Sequence, residues 1–234
     1  MTLNSNYQSA LIVGAGDGLS ASLARKLAHA GVKVGLVARN IAKLDALCEE
    51  TGARAFAADV TNEDEVTQAF SAAAALIGGP DIVVYNPSAR LRGSIAELNP
   101  AEVQRVIAVT AFGGFLVAQQ AARRMLVQGR GAILFTGASA SVKGYPLSAP
   151  FAMGKFALRG LAESMARELG PLGIHVAHVL IDGAIRSTRN VEAPDKPDSL
   201  LHPDAIAEGY LQLLRQPRSA WTFELDLRPW VEKF

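Results

Sequence analysis

Three groups of residues in this 234-residue chain have the types and spacing to do chemistry. The first is Gly14-Ala15-Gly16-Asp17-Gly18-Leu19-Ser20. Glycines on alternate residues permit a tight turn and let backbone N–H groups approach a pyrophosphate at the start of a helix. An apolar stretch, residues 10–13, precedes the turn and a small-residue helical stretch follows it, the context that a dinucleotide-binding turn requires. The second group is Ala38-Arg39-Asn40. An acid here would hold the adenosine ribose of NAD, whereas Ala38 removes it and Arg39 supplies a guanidinium suited to the 2′-phosphate of NADP. Asp17 pulls the other way, so NADP(H) is expected ahead of NAD(H). The third group is Phe151-Ala152-Met153-Gly154-Lys155. Residues four apart on a helix share a face, about 5–6 Å apart at Cβ. Lys155 can donate to ribose hydroxyls, and Phe151 has no ionisable group.

Histidines offer little. His175 and His178 are three apart on an expected strand and so point to opposite faces. His29 closes a helix, where a cation is favoured, and His202 lies in a loose loop. Cys48 is the only cysteine, which excludes an intramolecular disulfide and a multi-cysteine metal site; no metal is expected.

These groups must be positioned by alternating strands and helices. Strands are expected at residues 10–13, 32–38, 54–58, 81–85, 132–135, 175–181 and 221–227. Helices are expected at residues 19–30, 41–51, from Thr61-Asn62 onward, 100–128, 148–169 and 203–215. Alternation of this kind implies parallel strands joined by crossovers, and strands apolar throughout imply helices on both faces. The fold class is therefore α/β: one Rossmann-like, doubly wound domain over residues 1–234, with its ligand at the carboxyl ends of about seven strands. Pro194, Asp195, Lys196, Pro197 and Asp198 crowd a segment after the sixth strand, so residues 186–203 are a candidate substrate loop or lid.

Twenty-three basic and 22 acidic residues balance, which gives no reason to expect nucleic acid or an anionic membrane as partner. The polar first eight residues do not read as a signal peptide, and the apolar runs look no longer than strands. A cytoplasmic protein is expected. Trp221, Phe223, Trp230 and Phe234 crowd the end of the chain, a composition that suits either a subunit contact or a tail packed on its own domain.

Taken together, these motifs resemble the short-chain dehydrogenase/reductase family over nearly the whole chain. Gly14, Gly18 and Leu19 match its Thr-Gly-x-x-x-Gly-[Ile/Leu]-Gly turn, with Val13 and Ser20 as departures. Asp59-Val60 match its adenine-contacting pair, Asn86 stands in its Asn-Asn-Ala-Gly segment, and Gly183 keeps half of a Pro-Gly pair whose proline is Asp182. The resemblance implies that Ile185 lies by the nicotinamide carboxamide, with Ser187 and Thr188 close, and that the chain forms a homodimer or homotetramer. It also implies an Asn-Ser-Tyr-Lys catalytic set in which tyrosine gives the proton, lysine holds the ribose, serine polarises the carbonyl and asparagine supports a water. Here only Lys155 is retained. Phe151 replaces tyrosine, Thr110 takes the asparagine position, and Ala138, or Ser139 with a one-residue shift, takes the serine position.

Losing a positioned acid typically costs about 10²–10⁴ in rate. Tyr145, Ser139, Ser141 and Ser148 could supply a replacement hydroxyl, Tyr145 best by pKa and reach. The resemblance therefore implies an NADP(H)-dependent oxidoreductase acting on a small organic substrate through a rebuilt site. The alternatives are a cofactor-binding sensor or assembly subunit without turnover, and a non-redox enzyme that kept the fold.

Overall fold

The structure, a computed structural model, describes residues 7–188 and 190–232. Seven strands form one sheet: β1 (Ser9–Val13), β2 (Lys33–Ala38), β3 (Arg54–Ala57), β4 (Ile82–Tyr85), β5 (Gly131–Thr136), β6 (Ile174–Ile181) and β7 (Glu224–Leu227). Their order is β3-β2-β1-β4-β5-β6-β7, and every pairing is parallel. The crossovers carry α1 (Leu19–His29), α2 (Asp45–Thr51), α3 (Glu63–Ile77), α4 (Pro100–Ile107), α5 (Gly113–Gln128), α6 (Ala149–Leu169) and α7 (Pro203–Arg215).

Alternate residues of each strand feed two cores. Ile12, Leu36 and Val84 pack with Leu23, Leu27 and Tyr210 of α1 and α7. Leu11, Val83 and Phe135 pack with Phe70, Leu116 and Leu158 of α3, α5 and α6. Each fully buried side chain of this size contributes about 1.5–3 kcal/mol. Register holds the strand ends level, with Val13 opposite both Val37 and Tyr85, and Tyr85 opposite Phe135. The chain leaves β1 toward β2 and returns to β4 on its other side. That reversal opens a crevice between the carboxyl ends of β1 and β4, the place where such sheets bind ligands.

Local capping follows the sequence. Asn62 accepts from the N–H groups of Asp64 and Glu65 at the start of α3, and Asn99 accepts from Ala101 before Pro100 in α4. His202 caps α7, its Nδ1 accepting from Asp204 N–H at 3.2 Å.

Four expectations are corrected. The helix expected over residues 41–51 starts as a 3-10 turn, Ala42–Leu44, where the Asn40 side chain accepts from Ala42 N–H and holds the chain tight. The last strand is shorter than residues 221–227, because Trp221 leaves the ladder to stack on His175 at 4.8 Å between ring centroids. The helix expected over residues 100–128 contains a wide turn, Ala108–Phe112, in which Gly113 N–H reaches back five residues to the Ala108 carbonyl. Behind it α5 lies so close to its neighbours that a Cβ on Gly114 would come within 2.5 Å of Leu158. Taken through that turn, Pro100–Gln128 is 29 residues, long and apolar enough by length and composition to cross a bilayer, contrary to the expected strand-length runs. Leu116, Val117, Ala121 and Met125 on its inner side are buried against the sheet, as in a core helix.

Candidate functional site

The turn between β1 and α1 is built for close approach. Gly14 has φ +80°, and the N–H groups of Gly14 and Ala15 both donate to the Val37 carbonyl at 2.9 Å. A Cβ at Gly14 would lie 2.6 Å from Pro87 N, so no other residue fits there without a shift. Ser20 donates to the Gly14 carbonyl at 3.1 Å and accepts from Asn86 Nδ2 at 2.8 Å. Ser20 and Asn86 thus tie the turn to the end of β4. Gly16 and Gly18 face open space, and α1 has neither a side-chain cap nor an acid in its first turn. Its N–H groups are left for an outside anion. Asp17 is exposed at the tip, and Leu19 turns inward to the core.

Below this turn lies a cavity of about 320 Å³ lined by Gly14, Arg39, Lys43, Asp59, Val60 and Asn86, among others. Thr61 donates to Asp59 through its backbone N–H and its hydroxyl, at 2.9 and 2.7 Å, and these bonds hold the Asp59 carboxyl below the usual range, with a smaller pull from Arg39. The cavity therefore has an ionised carboxylate on one wall and two cations on another. The turn and this cavity fit a dinucleotide: open space at two glycines, uncapped N–H groups and polar side chains on the cavity wall.

A second cavity, of about 340 Å³, opens beyond the ends of β5 and β6. Its walls include Arg90, Arg92, Ala138, Ser139, Tyr145 and Phe151. Ala138 and Ser139 both reach it, so a hydroxyl is available from only the second of the two alignments with the family serine. The Arg90 guanidinium lies over the Phe151 ring, 4.5 Å from its centroid. Ser141 is buried and accepts from Ala138 N–H, which takes it away from the cavity.

Lys155 lines neither cavity. It is 2% exposed, and its Nζ donates to the Thr136 carbonyl at 2.7 Å. Burial first and the repulsion of Arg90 second lower its pKa to about 7. Thr110 is fully buried in the wide turn, accepts from Ala89 N–H at 3.3 Å, and packs against Gly154, where a Cβ would meet it at 2.8 Å. Wide helical turns of this type recur at functional sites.

His178 and His175 fall on opposite faces. His178 Nδ1 pairs with Glu224 at 2.9 Å, and Arg159 grips that carboxylate at 2.6 and 3.1 Å. Burial lowers the His178 pKa to about 4, so its ring is neutral near pH 7. The ring fills the space beside Gly137, where a Cβ would lie 2.2 Å from Nε2.

After β6, Asp182 is buried within 3.5 Å of Lys143 and 3.8 Å of Arg228. Gly183 has φ +152° and lines the second cavity. Ile185 bridges to Leu201 and packs against the core, so residues 186–203 are anchored at both ends. Arg186 N–H donates to the Leu201 carbonyl at 2.9 Å, and most of the segment is exposed; Arg189 lies outside the described residues. Among the C-terminal aromatics, Phe223 packs on the core and Trp230 is 78% exposed; Phe234 lies outside the described residues.

Sequence reasoning missed Lys43, Arg90 and Arg92. Lys43 carries a readable signal, a second cation four residues after Arg39. Arg90 and Arg92 follow Asn86 on the ligand side of β4, but their meaning comes from Phe151, which the fold brings to Arg90 from far along the chain.

Comparison with known proteins agrees with this geometry. The short chain dehydrogenase family profile matches residues 8–196. A short-chain dehydrogenase/reductase of Armillaria gallica is 34% identical over 175 residues, which are 71% of this chain and 67% of that protein. The crystal structure of a short-chain dehydrogenase from Rhodopseudomonas palustris is 39% identical, with a TM-score of 0.82 over 95% of this chain and 99% of that one. A metagenomic short-chain oxidoreductase in complex with NADP is 28% identical, with a TM-score of 0.82 over 95% of this chain and 97% of that one.

Proposed function

Because the chain belongs to the short-chain dehydrogenase family, we propose that it is an NADP(H)-dependent oxidoreductase acting on a small organic substrate in a site that lacks the family tyrosine. The observation that carries this reading is the cavity under the glycine turn, with Arg39 and Lys43 on its wall. When bound, the nicotinamide cofactor would supply or accept the hydride. The N–H groups at the start of α1 would hold the pyrophosphate, Arg39 and Lys43 the 2′-phosphate, and Asp59 and Val60 the adenosine end. Asn86, Gly183 and Ile185 would border the nicotinamide, and the buried Lys155 would reach the ribose only by turning its Nζ from the Thr136 carbonyl. Tyr145, the phenol on the wall of the second cavity, would hold the proton, with the Ser139 hydroxyl beside it.

Fluorescence titration with NADPH and NADH tests the cofactor. Tighter binding of NADPH, lost in Arg39→Ala, is expected; equal affinities would remove the NADP preference, and no binding of either would remove the reading. Oxidation of NADPH with a panel of aldehydes, ketones, imines and quinones tests turnover, and Tyr145→Phe tests the phenol. A second reading, cofactor binding without turnover, is favoured by Phe151 and Ala138, which carry no hydroxyl, and by Thr110, whose hydroxyl is engaged by Ala89. NADPH binding with no oxidation across the panel would favour it.

The chain is also proposed to self-associate. Phe112 and Phe115 stack on each other at 6.1 Å and are exposed together with Met153 and Phe156 of α6, a surface better covered by a second copy than by water. Light scattering would give twice the monomer mass or more; a monomer would refute it.

A further inference from the structure

We propose that the substrate carries a carboxylate and that Arg90, with Arg92 on the same cavity wall, receives it. This inference rests on the oxidoreductase reading and names the substrate class for that site. Four observations converge on it. Among the described residues, Arg90 and Arg92 are the only charged ones lining the second cavity. Neither has an acidic partner among the described residues, whereas Arg25, Arg159 and Arg215 are each paired with a glutamate. A guanidinium left unpaired at a cavity wall attracts an anion, because the low-dielectric surround focuses its field.

The Arg90 side chain is also held in place. Its guanidinium lies over the Phe151 ring at 4.5 Å, and a planar guanidinium in that position keeps its N–H edges free for a two-point bond to a carboxylate. Phe151 thus has a use that a lost tyrosine alone does not explain: the ring is a platform for the cation.

The remaining walls suit the rest of a small organic acid. Leu91, Pro146 and Ile181 are apolar, and Ser139 and Tyr145 offer hydroxyls. About 340 Å³ is at the small end of ligand pockets, which run from roughly 300 to 1,000 Å³. A phosphate ester would meet the same guanidiniums, and titration with inorganic phosphate separates it from a carboxylate.

The test is calorimetric titration of the NADP-saturated protein with benzoate, its neutral isostere benzamide, and inorganic phosphate. Benzoate is expected to bind more tightly than benzamide, and Arg90→Ala to weaken benzoate by about 10- to 100-fold, the worth of a charge-assisted bond, while benzamide is unchanged. Arg90→Lys, which keeps the charge and loses the fork, should fall between. NADPH fluorescence on each variant shows that the fold is retained. Equal affinities for benzoate and benzamide, or benzoate binding indifferent to Arg90→Ala, with NADPH still bound, would overturn this inference alone. Phosphate bound more tightly than benzoate and dependent on Arg90 would overturn the carboxylate in favour of a phosphate ester. Failure of the wild type to bind NADPH would overturn the cofactor reading, and this inference with it.

Discussion

Lys155→Met asks whether the buried lysine is held near neutrality. The lysine is 2% exposed, and burial, aided by Arg90, lowers its pKa to about 7. In the unfolded chain the same amine titrates at about 10.4. Between these values the unfolded chain binds more protons than the native one, so the native state gains stability as pH rises. Below about pH 7 both states are protonated, and the native state carries the full penalty of a buried ammonium. From pH 6 to pH 9 the unfolded amine stays charged while the native one releases its proton early in the interval. The difference, roughly two pH units of one proton, is worth about 3 kcal/mol. Methionine has no such proton, so wild type should gain about 3 kcal/mol relative to Lys155→Met over that range. The variant also leaves the Thr136 carbonyl without its 2.7 Å partner, at a cost of about 1–3 kcal/mol. That cost does not change with pH and only offsets the two curves. His178, with its pKa lowered to about 4 chiefly by burial, stays neutral over this range. Urea unfolding of the cofactor-free proteins at pH 6, 7, 8 and 9 reads the difference. A gap constant within about 0.5 kcal/mol would refute the reasoning, because Lys155 would then titrate as an ordinary solvated lysine.

Gly14→Ala combines a backbone at φ +80° with a Cβ 2.6 Å from Pro87 N; a loss of roughly 2 kcal/mol or more in urea unfolding is expected, together with weakened NADPH binding. Gly137→Ala drives a methyl to within 2.2 Å of His178 Nε2 and should lower stability by about 1–3 kcal/mol, and Gly16→Ala, with open space at its Cβ, should fold normally while binding NADPH less well. Phe151→Leu removes the ring under Arg90 and should weaken benzoate about 2- to 5-fold, in line with a cation–π contact of about 0.5–1 kcal/mol at a partly exposed site.

Elements with strong local signals were legible in the sequence. The first six strands, the glycine turn and the helix starts near residues 62 and 100 each depend on residues close together in the chain, and these stand in the structure. The wide turn at Ala108–Phe112 was not legible, because it follows from the packing of α5 against Tyr85 and Leu158, contacts made across the fold. Trp221 likewise reads as a strand residue until His175 is found beside it. In the site, Gly14, Arg39, Asp59, Val60 and Asn86 converge on one cavity, as their places at strand ends implied. Arg90 escaped notice because arginine after a strand is common, and only the Phe151 ring distinguishes it.

Phe151 and Ala138 bring no hydroxyl to the second cavity, so charge and proton there fall to different residues. The Arg90 guanidinium can stabilise negative charge on a substrate but is no proton donor for it. Lys155 titrates near neutrality, but it is enclosed and its Nζ is engaged by the Thr136 carbonyl. Thr110 is fully buried and accepts from Ala89 N–H, which leaves its O–H to donate to a single neighbour. The hydroxyls that line the second cavity belong to Ser139, Tyr145 and Ser148, ahead of α6 and not on it. Under the proposed assignment such a site would favour substrates that bring their own negative charge to Arg90 and need little help with the proton. Phe151, which has no proton to give, would then serve as the platform that holds Arg90 toward an organic acid.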